Sequence, residues 1–503
     1  MAVPVNTRAQ YGLEAPQVLV EAHYQPGASS FTLVGMPQKA VREARDRVRS
    51  AIKSAGLDFP LGRLVVNLAP ADLAKHGGRF DLAIAVAILT ATRQIPDRHL
   101  ARLEFLGELS LYGELRPVAG AFCAAAKVAG TGTGLVIPSA QREELGPLAD
   151  TDLAVYPVDS LLDVVGLLAA DELPGAVTLA KPRPVANRSP SLNDVRGQAH
   201  AKRALVVAAA GGHHLLMVGP PGTGKTMLAR RLSGLLPPLE PREAVEVANV
   251  YSVSARRAPG FAERPFCDPH HSASAAAMIG GGNPIAPGEV TLAHCGVLFL
   301  DELPEFHRDV LEALREPLEG DDVAIARVNQ TVRFPARFQL VAAMNPCPAG
   351  FVCDQARCRC APQQVAKYRS RVSGPLLDRI DVRIEVGPVA DDDLWAERVP
   401  TLDDGALRGA VAQARDRQWH RAGCLNATLA AREVDEYCTL EPAAQSLLRR
   451  AGRRLGLSAR AIHRVRKVAR TIADLARAES VGAVHVGEAL GYRAMEGGRD
   501  PDA

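Results

Sequence analysis

A glycine-rich stretch that follows an apolar run carries the strongest chemical signal in the chain. The run LLMV predicts a buried strand, and the next eight residues match the pattern G-x-x-x-x-G-K-[ST]: Gly219, Pro220, Pro221, Gly222, Thr223, Gly224, Lys225 and Thr226. Glycines in such a loop let backbone N–H groups converge on phosphate oxygens, and the helix that follows adds a favourable dipole. We expect Lys225 to contact the β- and γ-phosphates of ATP and Thr226 to hold Mg²⁺.

Two carboxylates follow another apolar run. The segment GVLFLDELPEF predicts a buried strand that ends in Asp301 and Glu302. Taken alone, the pattern also fits a strand that ends in two surface acids, but beside a phosphate loop it indicates a nucleotide-hydrolysing site. We expect Asp301 to bind Mg²⁺ through water, and Glu302 to orient and polarise the attacking water.

Four cysteines crowd into one short segment with the spacing C-x5-C-x4-C-x-C: Cys347, Cys353, Cys358 and Cys360. Four thiolates can close a tetrahedral Zn²⁺ site, and in a reducing compartment metal binding is favoured over disulfides. The spacing is less regular than a pair of C-x-x-C knuckles, so a loop of metal-free thiols is the alternative. The cluster is therefore a candidate structural zinc site.

The remaining sequence divides into parts that must position these residues. The 503 residues carry a net charge of +3 and are 47% hydrophobic, which is typical of a globular protein with about three domains. We predict an α/β protein with an α+β N-terminal domain over 1–178, a linker rich in Pro, Ser and Asn over 179–193, a phosphate-loop core with a parallel sheet over 194–390, and a helical lid over 391–503.

The first residues lack a basic segment followed by an apolar stretch, so no signal peptide is predicted. No apolar run reaches the roughly 18 residues that a membrane-spanning helix needs. We expect a cytoplasmic protein without a membrane partner. The weak net charge does not by itself indicate nucleic acid, so any DNA contact must come from local basic clusters.

A third apolar strand, LVAAM, ends at Asn345. Its place after the phosphate loop and the carboxylate strand resembles the AAA+ family of ATPases. The resemblance implies that Asn345 is the sensor-1 residue, which would hydrogen-bond the γ-phosphate or the attacking water. A polar residue that merely ends a strand is the alternative.

The same resemblance gives two arginines a role. Arg379, in GPLLDRID, resembles the arginine finger that an AAA+ ring places in the site of the next subunit, with Arg371 as the alternative. Arg460, in GLSARAIHRVRK, resembles the sensor-2 arginine at the start of a lid helix, with Arg464 as the alternative. An exposed helical arginine is also common on a solvated face.

A long insertion before the carboxylate strand and a hairpin before the sensor-1 strand resemble the magnesium-chelatase and MCM-helicase branch of AAA+. The segments LVGMPQKAVREARDRVRSAI, RFDLAIAVAIL, FCDPHHSAS and PGEVTLAHCGVLFLDELPEF resemble the YifB/ComM family, and the resemblance covers almost the whole chain. It implies a hexameric ATPase, and for ComM a DNA helicase that promotes branch migration during natural transformation.

Residues that touch DNA are expected on the hairpin, where positive charge would follow the phosphates with little regard to sequence. The candidates are Arg327, Asn329 and Arg333, and the partner would be single-stranded or branched DNA. A hairpin that touches nothing is the alternative. His270 and His271 could contact DNA or a metal, but we expect them to stabilise the insertion, because no third ligand is evident nearby.

The N-terminal domain resembles the Lon-protease-like fold, related to the ribosomal S5 type. Where Lon proteases carry their serine nucleophile, this chain has Arg79, which cannot act in acyl transfer. We predict no peptidase activity. The alternative to a DNA motor is a magnesium-chelatase-like ATPase that remodels proteins or inserts metal, and stimulation of ATP hydrolysis by DNA distinguishes the two.

Overall fold

A computed structural model describes residues 4–35, 39–73, 75–182, 190–282, 285–327, 330–350, 358, 360–390 and 403–493. It is a mixed α/β protein with two large sheets, as predicted. Within these ranges, no helix is long and apolar enough to cross a membrane.

The described residues of the N-terminal part form nine strands and four α-helices: β1 (Val5–Arg8), β2 (Gln17–Gln25), β3 (Ser30–Val34), α1 (Lys39–Ser54), β4 (Arg63–Ala69), α2 (Asp81–Ala91), β5 (Leu103–Phe105), β6 (Glu108–Leu109), β7 (Leu115–Arg116), α3 (Ala121–Val128), β8 (Gly134–Pro138), β9 (Ala154–Val158) and α4 (Leu161–Ala169). Seven strands form one sheet in the order β3-β4-β2-β1-β5-β8-β9. Strand β2 alternates buried and exposed residues, so only one of its faces packs on the core. Helix α2 is buried over residues 81–89, which explains its uninterrupted apolar run.

The part that carries the phosphate loop forms, over its described residues, nine strands and eight α-helices and is called the nucleotide-binding part: α5 (Ala199–Gly211), β10 (Leu215–Val218), α6 (Lys225–Leu235), α7 (Pro241–Ser252), β11 (Phe266–Cys267), α8 (Ala275–Ile279), β12 (Gly280–Gly281), β13 (Ala286–Pro287), α9 (Glu289–Leu292), β14 (Val297–Leu300), α10 (Arg308–Ala313), β15 (Asp322–Arg327), β16 (Gln330–Pro335), β17 (Gln339–Met344), α11 (Pro362–Arg369), α12 (Gly374–Leu377) and β18 (Val382–Glu385). Five of the strands form a parallel sheet in the order β11-β14-β17-β10-β18. Strands β10, β14 and β17 are buried throughout, as expected for a parallel sheet covered on both faces.

Two hairpins project from this sheet. Hairpin β12–β13 lies between α8 and α9, in the insertion that precedes β14. Hairpin β15–β16 precedes β17 and is antiparallel from Asp322↔Pro335 to Arg327↔Gln330. The two hairpins contact each other, because a Cβ on Gly280 of β12 would lie 2.6 Å from Cδ1 of Ile325 in β15.

The C-terminal part is helical: α13 (Asp404–Ala422), α14 (Ala431–Tyr437), α15 (Pro442–Leu455), α16 (Ala459–Leu475) and α17 (Ala483–Gly491). Helix α16 starts at a Ser458 cap whose hydroxyl accepts a hydrogen bond from the Ala461 N–H. Its apolar face joins a core that also contains α5 and β10, so the C-terminal helices pack on the five-stranded parallel sheet.

The N-terminal and nucleotide-binding parts share one hydrophobic core. Buried side chains of α3 pack together with those of α7 and of hairpin β15–β16, including Val332 and Phe334. The Ser252 carbonyl at the end of α7 accepts a hydrogen bond from the Gly120 N–H at 2.7 Å, and the Tyr11 hydroxyl donates to the Thr331 carbonyl at 3.2 Å. The linker is therefore not the sole connection between the two parts.

Candidate nucleotide-binding site

The loop between β10 and α6 contains three glycines, one at a position without room for a side chain and two with positive φ angles. A Cβ on Gly219 would lie 2.1 Å from the Val386 carbonyl oxygen. Gly222 and Gly224 have φ angles of +78° and +87°, which side chains rarely allow. The loop can thus present its N–H groups to an anion at the start of α6, which begins at Lys225.

Lys225 is 8% exposed, and its ammonium group bonds the loop from within. It donates to the carbonyls of Gly219 at 2.6 Å and Pro220 at 2.8 Å, and to the Asn345 Oδ1 at 3.3 Å. Burial lowers the pKa of Lys225, while the nearby charges of Asp301 and Glu302 oppose that shift. The cation is held by neutral oxygens, an arrangement that suits the arrival of an anionic group.

A hydroxyl and a carboxylate meet beside this lysine. The Thr226 hydroxyl donates to Oδ2 of Asp301 at 2.7 Å, and Oδ1 of Asp301 accepts the Glu302 N–H at 2.9 Å. Glu302 adopts a left-handed conformation with φ of +52°, so its side chain leaves the strand in a direction that regular β structure does not provide. Its side chain is half exposed.

These groups meet because three neighbouring parallel strands end at one edge of the sheet. Strand β10 leads to the phosphate loop, β14 to Asp301 and β17 to Asn345. An ammonium, a hydroxyl, a carboxylate and an amide on a glycine cradle form the donor and acceptor set that Mg²⁺ and a nucleotide triphosphate require. The residues present therefore fit both groups.

The arginines expected to complete the site lie in different environments. Arg379 pairs with Glu319 at 2.5 Å and its side chain is only 11% exposed. Arg371 pairs with Glu305 at 2.8 Å and is half exposed. Of the two side chains, that of Arg371 is the more exposed, and the finger role given to Arg379 stays a prediction.

The two lid arginines also differ. Arg460 is exposed in the first turn of α16. Arg464, one turn later, donates to Oδ1 of Asp381 at 2.6 Å and to the Arg379 carbonyl at 3.0 Å. His213 bonds the other oxygen of Asp381 at 2.9 Å. Arg464 is thus engaged in a buried network between the lid and the base of β18.

Three of the four cysteines come together in the segment that follows Asn345. The Sγ atoms of Cys347, Cys358 and Cys360 lie within 4.8 Å of one another, and those of Cys347 and Cys358 are 3.5 Å apart. Cys353, the fourth expected ligand, lies outside the described residues. The loop packs on the phosphate loop, since a Cβ on Gly350 would lie 2.7 Å from Cγ of Pro221.

The hairpin residues expected to contact DNA are described only in part. Arg333 lies on β16 with its side chain 69% exposed and paired with Asp322 at 2.9 Å. Arg327 ends β15, but its side chain, like all of Asn329, lies outside the described residues. Of the three candidate DNA-contacting residues, Arg333 is therefore the one with a described side chain.

In the N-terminal domain, Arg79 is buried and 4% exposed. Its guanidinium donates to the Ala119 carbonyl at 3.0 Å, and burial lowers its pKa to about 10. A guanidinium held in this way serves the packing of the domain and supplies no nucleophile.

His271, which we expect to stabilise the insertion, also lies beside the site. Its Nδ1 is 3.4 Å from Oε2 of Glu302. The signal that could have revealed this contact is its position four residues after β11, the strand that pairs with β14.

The parallel sheet, the glycine loop and the carboxylate strand define a phosphate-loop nucleotide-binding protein with an AAA+-like, chelatase-type fold. Three family models match successive parts of the chain. The model for subunit ChlI of Mg-chelatase matches 20–141, the magnesium chelatase subunit ChlI model matches 191–394, and the magnesium chelatase subunit ChlI C-terminal model matches 404–493.

The chain belongs to the YifB/ComM family of magnesium-chelatase-like proteins. It is 47% identical over 497 residues to competence protein ComM of Haemophilus influenzae, covering 98% of this chain and 97% of that protein. It is 45% identical over 498 residues to YifB of Salmonella typhimurium, covering 98% and 97%. It also resembles Lon protease 2 of Bacillus subtilis, with 32% identity over 159 residues, or 29% of this chain and 28% of that protein.

Proposed function

We propose that this protein is an ATP-hydrolysing AAA+ motor that acts on DNA as a ring of identical subunits, in the manner of a branch-migration helicase. The observation that supports ATP hydrolysis is the meeting of Lys225, Thr226, Asp301 and Asn345 at the carboxyl ends of β10, β14 and β17. Family membership supports the same conclusion.

In this proposal the ammonium of Lys225 turns from the loop carbonyls to the β- and γ-phosphates. Thr226 and Asp301 would hold Mg²⁺, which would neutralise charge on the phosphate oxygens. Glu302 accepts a proton from the water whose oxygen attacks the γ-phosphorus, while the bond to ADP breaks. Asn345 orients the water or the γ-phosphate, and Arg460 reaches the nucleotide from the lid.

A ring would complete each site with a guanidinium from the neighbouring subunit. We assign this role to Arg379, which must first leave Glu319 of its own chain. Arg371 is the comparison residue, because its side chain is half exposed. A hexamer is the assembly that the family resemblance favours.

DNA as the substrate rests on the hairpin β15–β16 and on the relative that is named a competence protein. Arg327, Asn329 and Arg333 would face the strand and follow its phosphates, so binding would weaken with salt. The second candidate is a remodelling or metal-insertion ATPase, which the three chelatase models favour. That activity would not respond to DNA.

For the cysteine cluster we propose a structural Zn²⁺ ion. Cys347, Cys358 and Cys360 already bring three sulfur atoms within 4.8 Å of one another, a separation that suits thiolates around one zinc ion. Metal analysis of the purified protein should find about one zinc per chain, and Cys358→Ser should lower that content. Zinc-free protein that binds ATP normally would contradict the assignment.

The N-terminal domain is proposed to be Lon-like in fold without being a peptidase, because Arg79 stands where a serine would be needed. It would stabilise the ring or hold DNA. Cleavage of casein by the purified protein, abolished by a serine-directed inhibitor, would contradict this proposal.

The first test is the steady-state ATPase rate with and without single-stranded and branched DNA, at low and moderate salt. A large stimulation that salt weakens is expected for a DNA motor. A rate that is indifferent to DNA would leave ATP hydrolysis in place and favour the remodelling candidate.

The site itself is tested with two variants. Lys225→Ala should lose nucleotide binding or turnover, because it removes the cation from the loop. Glu302→Gln should still bind ATP but hydrolyse it slowly, by about a hundredfold or more, since a general base contributes roughly that factor. Near-normal turnover in either variant would refute the assigned roles.

A further inference from the structure

Positive charge is concentrated in one stretch of the C-terminal helices. Residues 442–473 contain nine arginines and lysines and no aspartate or glutamate, which gives the stretch a net charge of +9. Because the whole chain carries a net charge of +3, all the other residues together carry −6. The stretch covers α15, the turn after it and most of α16, so a strongly basic segment lies within a chain that is otherwise slightly acidic.

The five cations on α16 already have a role inside this chain. Three of them form ion pairs with carboxylates and one donates to a backbone carbonyl: Arg464, Arg466, Arg470 and Lys467. The fifth, Arg460, is the residue proposed to reach the nucleotide. The unexplained part of the positive charge therefore lies on α15.

Helix α15 carries four arginines on one side, which are called the α15 arginines: Arg449, Arg450, Arg453 and Arg454. All four are exposed, and in the part of the chain that the structure describes none of their side chains forms an ion pair or a hydrogen bond. The helix buries Ala444 and Leu448, and at 3.6 residues per turn the arginines fall on the opposite face. They form one cationic surface that faces the solvent.

This arrangement does not stabilise the helix itself. Arg449 and Arg453 are four residues apart, as are Arg450 and Arg454, and like charges at this spacing repel each other. Only Arg453 and Arg454 lie in the last turn, where a cation favours the helix C-terminus. Since the two arginines of the preceding turn gain neither a carboxylate nor the dipole, the surface is suited to an anion from outside the chain.

The chemistry of the surface selects among anionic partners. A guanidinium group is always charged and donates through a rigid fork that matches the oxygens of a phosphate. Among the described residues, the exposed large apolar side chains nearest to α15 in sequence are Trp419 and Val484, so the helix has no such group to insert into a bilayer or between bases. Arginines without aromatic or apolar neighbours fit a sugar-phosphate backbone, which they contact without regard to base sequence.

We propose that the α15 arginines bind the DNA backbone and give the C-terminal helices a DNA contact separate from hairpin β15–β16. The inference rests on the proposed action on DNA and adds a second surface to it. Helices α15 and α16 are joined by a short turn at Gly456 and pack on each other, since a Cβ on Gly452 would lie 3.7 Å from Cδ1 of Ile462. DNA on α15 therefore acts on the helix that carries Arg460, and it should raise ATP turnover.

The test is DNA binding by the full-length protein with Arg449→Gln, Arg450→Gln, Arg453→Gln and Arg454→Gln combined. Glutamine keeps a long polar side chain and a high helix propensity but removes the charge. We expect Kd for a labelled duplex of mixed sequence to rise about tenfold or more at low salt. The slope of log K against log salt should become shallower by about 2 to 4, because each lost phosphate contact contributes about 0.9. ATP turnover without DNA should stay unchanged, and its stimulation by DNA should fall.

Two further variants separate a local surface from net charge. Lysine at the same four positions restores the charge and should restore the salt slope. The matched control replaces by glutamine four exposed arginines that are scattered over the chain and have no side-chain partner among the described residues: Arg102, Arg116, Arg408 and Arg432. This control loses the same charge, but salt screens separated charges, so its Kd should stay within about threefold of wild type at moderate salt.

Several results would overturn the inference and leave the proposed function in place. An unchanged affinity and slope in the glutamine variant would mean that α15 does not touch DNA, and an equal loss in the scattered control would assign the effect to net charge. If the glutamine variant no longer forms the wild-type assembly in analytical ultracentrifugation, the arginines belong to a subunit contact. Wild-type binding to phosphatidylserine vesicles that the glutamine variant loses, while its DNA binding stays intact, would assign them to a membrane. If the wild type binds no DNA even at low salt, the proposed action on DNA fails and the inference fails with it.

Discussion

Replacing Arg464 with methionine tests how the lid is attached to the nucleotide-binding sheet. The guanidinium donates to Oδ1 of Asp381 at 2.6 Å, and the remaining oxygen of Asp381 bonds His213 at 2.9 Å. Methionine keeps much of the apolar stem of the side chain while removing the charge and the donors. Asp381 is 4% exposed, so water does not readily replace the lost partner.

The expected cost follows from that burial. Removing one partner of a buried ion pair typically costs about 3–5 kcal/mol, because the other charge is left in a poor environment. His213 still donates to Asp381, and the Arg464 side chain is 24% exposed, so we expect the lower end, about 3 kcal/mol. Asp381→Asn in the same chain should recover part of this loss, because the buried charge is gone.

The pH dependence has a definite sign. Burial opposes ionisation of Asp381, but the hydrogen bond from His213 and the charges of His213 and Arg464 hold its pKa well below the usual range. A carboxyl with a lowered pKa stabilises the fold above its unfolded pKa of about 3.9, and this stability is lost as the pH falls. In Arg464→Met the folded-state pKa of Asp381 rises toward the unfolded value, so this carboxyl contributes less stability at neutral pH and its contribution is lost completely at a higher pH than in wild type.

The loss of stability in Arg464→Met is measured by hydrogen exchange of the α16 amides, which reports the local free energy of opening of that helix. A local measurement is needed because a multidomain chain does not unfold in one step. The double-mutant cycle of Arg464→Met with Asp381→Asn should give a coupling of about 2 kcal/mol or more. The exposed Arg460→Met is the matched control on the same helix. A loss below about 0.5 kcal/mol in Arg464→Met, or additivity in the cycle, would refute the reasoning.

Three further predictions concern other contacts. Gly350→Ala should raise KM for ATP severalfold, because Gly350 has a φ of +82° and the new methyl group would lie 2.7 Å from Pro221 of the phosphate loop. An unchanged KM would mean that the cysteine loop and the phosphate loop move independently. Arg379→Ala and Lys225→Ala should each be inactive alone and should regain ATP turnover when the two proteins are mixed, because some sites in a mixed ring contain both wild-type groups. If turnover does not recover, or recovers only when Arg371→Ala replaces Arg379→Ala in the mixture, Arg379 is not the arginine finger. Gly12 has a φ of +59°, and a Cβ there would lie 2.3 Å from Cγ1 of Val332 in the hairpin. Gly12→Val should therefore loosen the docking of the N-terminal domain and raise the hydrogen exchange of its amides. Gly27→Val, where a Cβ would meet no atom within 4 Å, should not have this effect.

Local patterns were sufficient to predict the phosphate loop and the carboxylate strand. The order of apolar strands and glycines from Gly219 to Lys225 depends on contacts within a few residues, which the sequence displays directly. The mixed α/β fold with a parallel sheet followed from the same runs and is confirmed. The catalytic and DNA-contact roles given to single residues stay predictions.

Contacts between segments that are distant in sequence could not be predicted from those local patterns. The pairing of Arg464 with Asp381 depends on how the lid docks, and an arginine on a helix looks the same in sequence whether it is solvated or buried. The meeting of His271 with Glu302 depends on strand register, which short apolar runs do not fix. Tertiary packing therefore decided what spacing alone left open.

The core shared by α3, α7 and hairpin β15–β16 has a practical consequence for how this protein can be divided. A fragment that starts after the linker would carry an intact phosphate loop but would expose to water the apolar side chains that α3 covers. Such a fragment is expected to aggregate or to bind other proteins nonspecifically, and its activity would say little about the whole chain. Replacing the N-terminal domain by another would require a matching change in the hairpin surface that it covers.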